Sequence, residues 1–161
     1  SRANQLLNGE LLPYNHITAS IAPSVEARLW DRISLSYEGT GSWTTSRLVA
    51  GERAVRMPDR HIQRYDQSLN LMYSPFRNTF LRLNGRHQYT RQAQLEDIRY
   101  FFIDANIRYN LNKWNTDLEL NITNLGNITE YETYSLSANQ FGYSRYDLRG
   151  RMAVLKLTFT L

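Results

Sequence analysis

The chain has 161 residues, contains no cysteine, and carries a net charge of +4 that comes mostly from arginine. Without cysteine, disulfides, thiolate metal ligands and cysteine nucleophiles are excluded. The longest apolar run, residues 100–103, is far shorter than the roughly 18 residues of a membrane helix. This length disfavours a helical membrane protein. The arginines are scattered and match no nucleic-acid-binding motif, which disfavours a nucleic-acid-binding protein.

Apolar and polar residues alternate in about seven segments, which is the pattern of β-strands with two different faces. In chain order these segments are residues 17–29, 33–43, 68–74, 81–89, 101–111, 117–123 and 153–161. The last segment places Ala153, Leu155, Leu157, Phe159 and Leu161 on one face and Val154, Lys156, Thr158 and Thr160 on the other. Apart from Val154, the second face is polar, so the sequence predicts an all-β, antiparallel fold with one apolar side.

The connections between these segments alternate between tight and long. The tight ones are residues 30–32, 75–78 and 112–115, and the long ones are approximately residues 44–66, 90–98 and 124–144. Outer-membrane barrels have short periplasmic turns and long extracellular loops, whereas a soluble sandwich has no reason to sort its connections by end. The pattern therefore predicts an antiparallel transmembrane β-barrel, with residues 1–12 in an extracellular loop.

About seven strands are too few for the expected barrel, since bacterial single-chain barrels have an even number of strands. An open sheet would expose unpaired backbone groups to hydrocarbon, at a cost of several kcal/mol for each group. We therefore expect residues 1–161 to be the C-terminal segment of a larger barrel domain whose other strands lie outside this chain.

Three features of the C-terminal third resemble a known family. Residues 117–127 read DLELNITNLGN, residues 131–134 begin a tyrosine-rich loop, and residues 146–151 precede the alternating terminus. Together they resemble the C-terminal end of a TonB-dependent outer-membrane receptor of the Bacteroides-like type. Gly126 stands where that family more often has Phe, and Leu161 stands where the final residue is more often Phe.

The resemblance implies a barrel of roughly 22 strands around an N-terminal plug. The implied activity is import of a bulky nutrient (a glycan, a siderophore or a peptide) with energy from TonB, without a cofactor. The implied partners are outer-membrane lipid, the rest of the barrel and its plug, TonB through the plug, and a surface lipoprotein, with no nucleic acid.

The charged residues on the polar face of the predicted strands are candidates to face the lumen or the plug. They are Glu26, Arg28, Glu38, Arg82, Arg86, Asp104, Arg108, Asp117 and Glu119. An arginine in hydrocarbon would cost about 2–4 kcal/mol at the midplane, so these residues are expected on the wet side. The alternative interpretation is that they only solvate a pore.

The last long connection is rich in aromatic and amide side chains that suit ligand binding. The candidate extracellular ligand contacts are Tyr131, Tyr134, Asn139, Gln140, Phe141 and Tyr143. The alternative is that these tyrosines pack the loop against itself. No catalytic or metal-binding constellation is predicted, so the chain is not expected to be an enzyme.

Aromatic residues near the strand ends predict two interfacial belts. One belt contains Trp30, Phe76, Tyr109 and Trp114, and the other contains Trp43, Tyr89 and Tyr131. Two other functions remain open: an outer-membrane porin or channel without a plug, and a soluble β-sandwich used for binding.

Overall fold

A computed structural model describes residues 2–7, 10–48, 60–93, 95–136 and 141–159. Its strands are β1 (Arg2–Leu7), β2 (Glu10–Ile21), β3 (Ser24–Trp30), β4 (Ile33–Leu48), β5 (Arg60–Phe76), β6 (Thr79–Gln92), β7 (Ile98–Leu111), β8 (Thr116–Thr123), β9 (Glu130–Leu136), β10 (Phe141–Asp147) and β11 (Met152–Phe159). A single turn of 3-10 helix covers Asn112–Trp114. Within the described residues, no helix is long and apolar enough to cross a membrane.

The described strands form one large sheet and one separate hairpin. Eight of the nine strands in the large sheet follow the order β1-β2-β4-β5-β6-β7-β8-β11. The ninth, β3, pairs with residues 33–38 of β4, whereas β2 pairs with residues 41–48 of the same strand. Every pairing is antiparallel, and β9 pairs only with β10. Because β1 and β11 do not pair with each other, the sheet is open. The all-β antiparallel prediction is confirmed.

The predicted strand at residues 17–29 is interrupted at Ala22 and Pro23. Proline has no backbone N–H, so it cannot donate to a neighbouring strand. The amide of Gly39 in β4 still donates to the Pro23 carbonyl at 2.8 Å, and this bond keeps β2 and β3 aligned beside the same strand. The two segments therefore act as one irregular strand along β4.

Two predictions about the loops are wrong. Residues 1–12 were expected in a loop, but residues 2–7 form β1 and pair with residues 10–15 of β2, so Leu6 lies opposite Leu11. The long connections are also shorter than predicted, because β4 extends to Leu48, β5 begins at Arg60, and β9 and β10 occupy most of residues 124–144. The three tight turns are confirmed, at residues 31–32, 77–78 and 112–115. We call this edge of the sheet the tight-turn end.

The register of the sheet aligns apolar residues into one continuous surface. Residues that pair across neighbouring strands point to the same side of a sheet. One row of paired residues runs through Ala27, Leu35, Leu71, Leu83, Ala105, Ile122 and Ala153. We call this side the apolar face and the opposite side the polar face. Most large side chains of the apolar face are exposed or half-buried, so the described part of the chain does not cover this face.

Two glycines of β4 receive aromatic rings on the apolar face. Gly39 and Gly41 are both buried. A Cβ on Gly39 would lie 2.8 Å from the Tyr37 hydroxyl, and one on Gly41 would lie 3.2 Å from the Trp43 ring. The absence of side chains at these positions therefore lets the rings of Tyr37 and Trp43 lie close against the backbone.

Candidate functional site

The structure places all nine charged residues predicted to face the lumen on the polar face. Glu26 and Asp104 belong to one row of paired residues, which runs through Ser36, Asn70 and Asn84. The next row runs from Arg28 through Ser34, Met72 and Arg82 to Asn106 and Asn121. Other rows hold Glu38 with Arg86, Arg108 with Glu119, and Asp117 with Thr158. The shared face follows directly from the strand period of two residues.

Part of the polar face is joined by side-chain hydrogen bonds. The Asn106 amide donates to the Glu119 carboxylate at 2.7 Å and to the Asn121 carbonyl oxygen. Arg108 forms an ion pair with Asp117, and Asn84 donates to Asn70. These bonds fix the polar side chains of β5 to β8 relative to one another, so this side of the sheet is an ordered polar surface.

The β9–β10 hairpin folds back over the polar face at the end opposite the tight turns. Arg64 of β5 donates to the main-chain carbonyl of Tyr134 at 2.7 Å. The amide of Glu132 donates to the Tyr100 hydroxyl of β7 at 2.7 Å. Two strands of the large sheet, β5 and β7, therefore hold β9 by hydrogen bonds. The hairpin does not extend away from the sheet as a free loop.

Apolar packing beneath the hairpin strengthens this attachment. Ile62, Ile98 and Tyr134 are the buried hydrophobic residues in the described part of the chain, and Tyr100 packs against them. The Tyr131 ring lies 5.0 Å from the Tyr100 ring, measured between centroids, in a tilted arrangement. Such ring pairs contribute about 0.5–1.5 kcal/mol beyond the area they bury. The only buried apolar cluster described thus lies on the face that is otherwise polar.

A cleft of about 290 Å³ lies where the hairpin meets the sheet. Its lining residues are Arg64, Asp66, Gln88, Thr90, Ile98, Tyr100, Tyr131 and Glu132. The lining combines two aromatic rings with carboxylate, amide, hydroxyl and guanidinium groups. A few polar groups converging beside apolar surface is the usual composition of a small-molecule site.

The predicted ligand contacts in this loop have different roles in the structure. Tyr131 and Tyr134 pack towards the sheet, and Tyr134 is only 8% exposed, so its main role is to hold the hairpin in place. Tyr143 is half exposed and donates to the Glu132 carboxylate at 2.7 Å, a bond that raises the pKa of its hydroxyl. Phe141 begins β10, whereas Asn139 and Gln140 lie outside the described residues.

The hairpin is anchored at its base by two asparagines with left-handed backbone. Asn124 and Asn127 both have φ of 54°, a conformation that asparagine tolerates better than most residues. The Asn124 side chain accepts from the Ile128 amide at 2.9 Å and donates to the carbonyls of Ile128 and Arg149. Asn127 accepts from the Arg151 amide at 2.9 Å. These bonds join the chain entering the hairpin to the chain leaving it.

Sequence reasoning missed the residues that receive the hairpin. Arg64 was placed in a long loop, although it lies within β5. The available signal was the apolar run at residues 100–103, where a two-faced strand should have alternated. In the structure Phe101 and Ile103 belong to the apolar face, while Tyr100 and Phe102 lie on the polar face and approach the hairpin.

The apolar face carries a row of aromatic residues near the end of the sheet opposite the tight-turn end. Trp43 donates from Nε1 to the Tyr65 hydroxyl at 3.0 Å, and the Tyr65 and Tyr89 rings stack with centroids 6.0 Å apart. The guanidinium of Arg99 lies 5.3 Å from the Tyr89 centroid, in a cation–π arrangement. Tyr131 was predicted in the same belt, but it belongs to the hairpin on the polar side, so that assignment is wrong.

Among the described residues, no group of three or more histidine, cysteine, aspartate or glutamate side chains could hold a metal ion. Comparisons with protein-family models, with curated proteins and with solved structures found no match. The functional interpretation therefore depends on the two faces of the sheet and on the docked hairpin.

Proposed function

We propose that this chain forms part of the wall of an outer-membrane receptor that imports a bulky nutrient with TonB-derived energy. The observation that carries the proposal is the nine-stranded sheet with an uncovered apolar face opposite an ordered polar face. A membrane barrel needs this arrangement, because its outer surface meets acyl chains while its inner surface meets water or a plug.

The extent of the uncovered apolar surface supports a lipid environment. Leu155, Leu157 and Phe159 of β11 are all more than half exposed, and so are Ile17, Ile21 and Val25 of β2 and β3, which lie on the same face towards the other edge of the sheet. Soluble monomers rarely expose large contiguous apolar patches. A soluble sandwich would cover this face with a second sheet, and the described strands provide only the β9–β10 hairpin, which packs on the other side.

The open edges of the sheet support continuation by further strands. The outer edge of β11 has no strand partner among the described residues. In hydrocarbon, each unpaired backbone group costs several kcal/mol, so a membrane sheet must close. Pairing with additional strands of the same barrel would satisfy these groups and complete the roughly 22-stranded wall that the family resemblance implies.

In this proposal the hairpin lies inside the barrel near its extracellular mouth. Substrate captured outside would pass the cleft beside Tyr100 and Tyr131 before reaching the plug. The same hairpin favours the second candidate, a channel without a plug, because a loop folded against the inner wall narrows a barrel without any separate domain.

The decisive experiment compares transport by the complete protein in cells with and without functional TonB. Uptake of labelled glycans, siderophores and peptides is measured in both strains, with the protein recovered from the outer-membrane fraction. Uptake that requires TonB supports the receptor, and uptake that persists without TonB supports the channel. Recovery of folded protein in the soluble fraction would refute both.

A further inference from the structure

Three arginines carry the charge of the apolar face. Along β3 to β8 and β11, the charged residues on that face are Arg47 of β4, Arg91 of β6 and Arg99 of β7, with histidine taken as neutral. All three are exposed, and all lie towards the end of the sheet opposite the tight turns. On these strands, the positive charge is therefore limited to one margin of an apolar surface.

The height of this margin follows from counting residues along each strand from its own tight turn. Trp43 is ten residues beyond Ile33, where β4 begins. Tyr89 is likewise ten residues beyond Thr79, where β6 begins. In strands tilted by about 40°, ten residues rise roughly 25 Å, which is the height of the apolar band of a membrane barrel. The two rings therefore lie at the outer limit of that band, where barrels have an aromatic girdle.

Arg91 and Arg99 lie just beyond the aromatic rings. Arg91 is twelve residues beyond Thr79. Arg99 is also twelve residues from its tight turn, which follows Leu111 at the end of β7. Two residues more than Tyr89 add roughly 5 Å of height. A bilayer of about 40–45 Å with a hydrocarbon core of about 30 Å has headgroup layers roughly 5–8 Å thick. Both arginines are therefore at the level of lipid headgroups.

The arrangement of Arg91 and Arg99 suits one shared anion. Arg99 pairs with Tyr89, two residues before Arg91, so the two arginines are diagonal neighbours on adjacent strands. Their Cα atoms are then about 7–8 Å apart, a distance from which two long side chains reach a common group. The Arg99 guanidinium lies 5.3 Å from the Tyr89 ring centroid, which holds it against the sheet. A guanidinium binds phosphate through two parallel N–H bonds, so the pair favours a phosphate group.

The carboxylate of Asp97 lies close to the arginine pair. It accepts a hydrogen bond from the Tyr89 hydroxyl at 2.7 Å and lies 3.9 Å from Arg91. The side chains of Arg91 and Asp97 are 64% and 46% exposed, so this long ion pair contributes little. Glu96, in the same connection between β6 and β7, is exposed. Within the part of the chain that the structure describes, Arg99 forms no ion pair.

We propose that Arg91 and Arg99 bind the phosphate of a lipid whose acyl chains cover the apolar face below them. The inference rests on the proposed function, because it requires that face to meet lipid. In that orientation the margin lies in the outer leaflet, so the partner is the phosphorylated glycolipid of that leaflet, the lipid A part of lipopolysaccharide. Phe101, next to Arg99 on the apolar face, is 54% exposed and supplies surface for its acyl chains. Arg47 adds positive charge at the same margin.

The test measures lipid binding by the complete protein in detergent, by native mass spectrometry in the presence of EDTA. Lipid A is compared with the same lipid after enzymatic removal of its phosphates, so the acyl chains are unchanged. The phosphorylated lipid should bind about tenfold more tightly, since each exposed arginine contributes up to about fivefold.

The outcomes separate this site from the proposed function. Equal affinity for the two lipids would overturn the phosphate site while leaving the apolar face in contact with lipid. Failure to bind either lipid would count against the lipid-facing wall itself. Displacement of lipid A by inorganic phosphate alone would assign the site to a free anion and overturn the lipid as its partner.

Charge variants test the arginines directly. Replacing both Arg91 and Arg99 with glutamine should abolish the preference for the phosphorylated lipid. Arg77→Gln is the matched control, because it removes an exposed arginine in a tight turn, at the opposite end of the sheet, and should keep the preference. If the double variant and Arg77→Gln show the same preference, the arginine pair does not bind the phosphate.

Asp97→Asn gives a test that a misfolded variant does not pass. Asparagine keeps an oxygen acceptor for the Tyr89 hydroxyl but removes the negative charge beside Arg91. The affinity for the phosphorylated lipid should rise about twofold to fivefold, with no change for the dephosphorylated lipid. Unchanged or lower affinity for the phosphorylated lipid would overturn direct binding of the phosphate at Arg91.

Discussion

Adjacent apolar residues on β11 provide a direct test of the proposal that the apolar face meets lipid. Leu155 is 62% exposed on the apolar face, and Val154 is 45% exposed on the polar face, where it pairs with Asn121. In a water-soluble protein, arginine at either exposed position would change stability by about 0.5 kcal/mol or less. In a membrane wall, the Leu155→Arg and Val154→Arg variants should differ strongly.

The expected difference follows from the depth of Leu155. Its partner Leu120 lies four residues after Thr116, the first residue of β8, so a strand tilted by about 40° raises it roughly 10 Å. That height is close to the middle of an apolar band about 25 Å tall. Leu155→Arg should therefore cost about 2–4 kcal/mol, a 30- to 900-fold change in the folding equilibrium. Val154→Arg should change it about twofold or less.

The assay measures urea-induced unfolding of the complete protein in phospholipid vesicles, by tryptophan fluorescence. Folded protein in the outer-membrane fraction, detected by its altered gel mobility before heating, gives a second readout for variants that do not refold reversibly. If Leu155→Arg and Val154→Arg prove equally stable and equally abundant, the apolar face is not in contact with lipid.

Three further predictions concern the docked hairpin. Arg64→Ala removes the charged donor to the Tyr134 carbonyl, so amide exchange in β9 should accelerate at least tenfold; unchanged exchange would contradict the docking. Asn124→Asp loses the amide donor to two carbonyls and should lower the free energy of unfolding by about 1–3 kcal/mol. Coincident denaturation curves for the variant and the unchanged protein would contradict this role of Asn124. Tyr143 has a raised pKa, so its bond to Glu132 should protect the hairpin amides from hydrogen exchange below pH about 10 and be lost as pH rises through that pKa. In Tyr143→Phe, amide exchange should lack this transition.

The two-faced strands were predictable because each of their sides has a uniform environment. Residues 81–89 alternate cleanly, and the structure pairs Leu81 and Leu83 with Ile107 and Ala105 on one face. The tight turns were also predictable, since each is a short polar break between two alternating segments. In these parts of the chain, local pattern and tertiary environment agree.

The hairpin contact was not predictable from local pattern, because it joins residues far apart in the sequence. Ile62 faces the hairpin and Tyr65 lies on the apolar face, so these two large side chains do not fit a period of two residues. The alternating pattern therefore did not indicate where β5 begins. Residues 100–103 lose alternation for the same reason, because Tyr100 and Phe102 pack against the hairpin while Phe101 and Ile103 lie on the apolar face. β1 was missed because the doublets Leu6–Leu7 and Leu11–Leu12 interrupt the period of two.

The glycines of β4 that lie against the rings of Tyr37 and Trp43 have a consequence if the apolar face meets lipid, as we propose. Because Gly39 and Gly41 leave room for the rings of Tyr37 and Trp43, the aromatic groups lie close against the backbone of the sheet. Neighbouring acyl chains would then meet a smooth contour that they can follow without bending around a protruding indole. Alanine at Gly41 would tilt that indole outward and roughen the boundary, with little change to the strand beneath it.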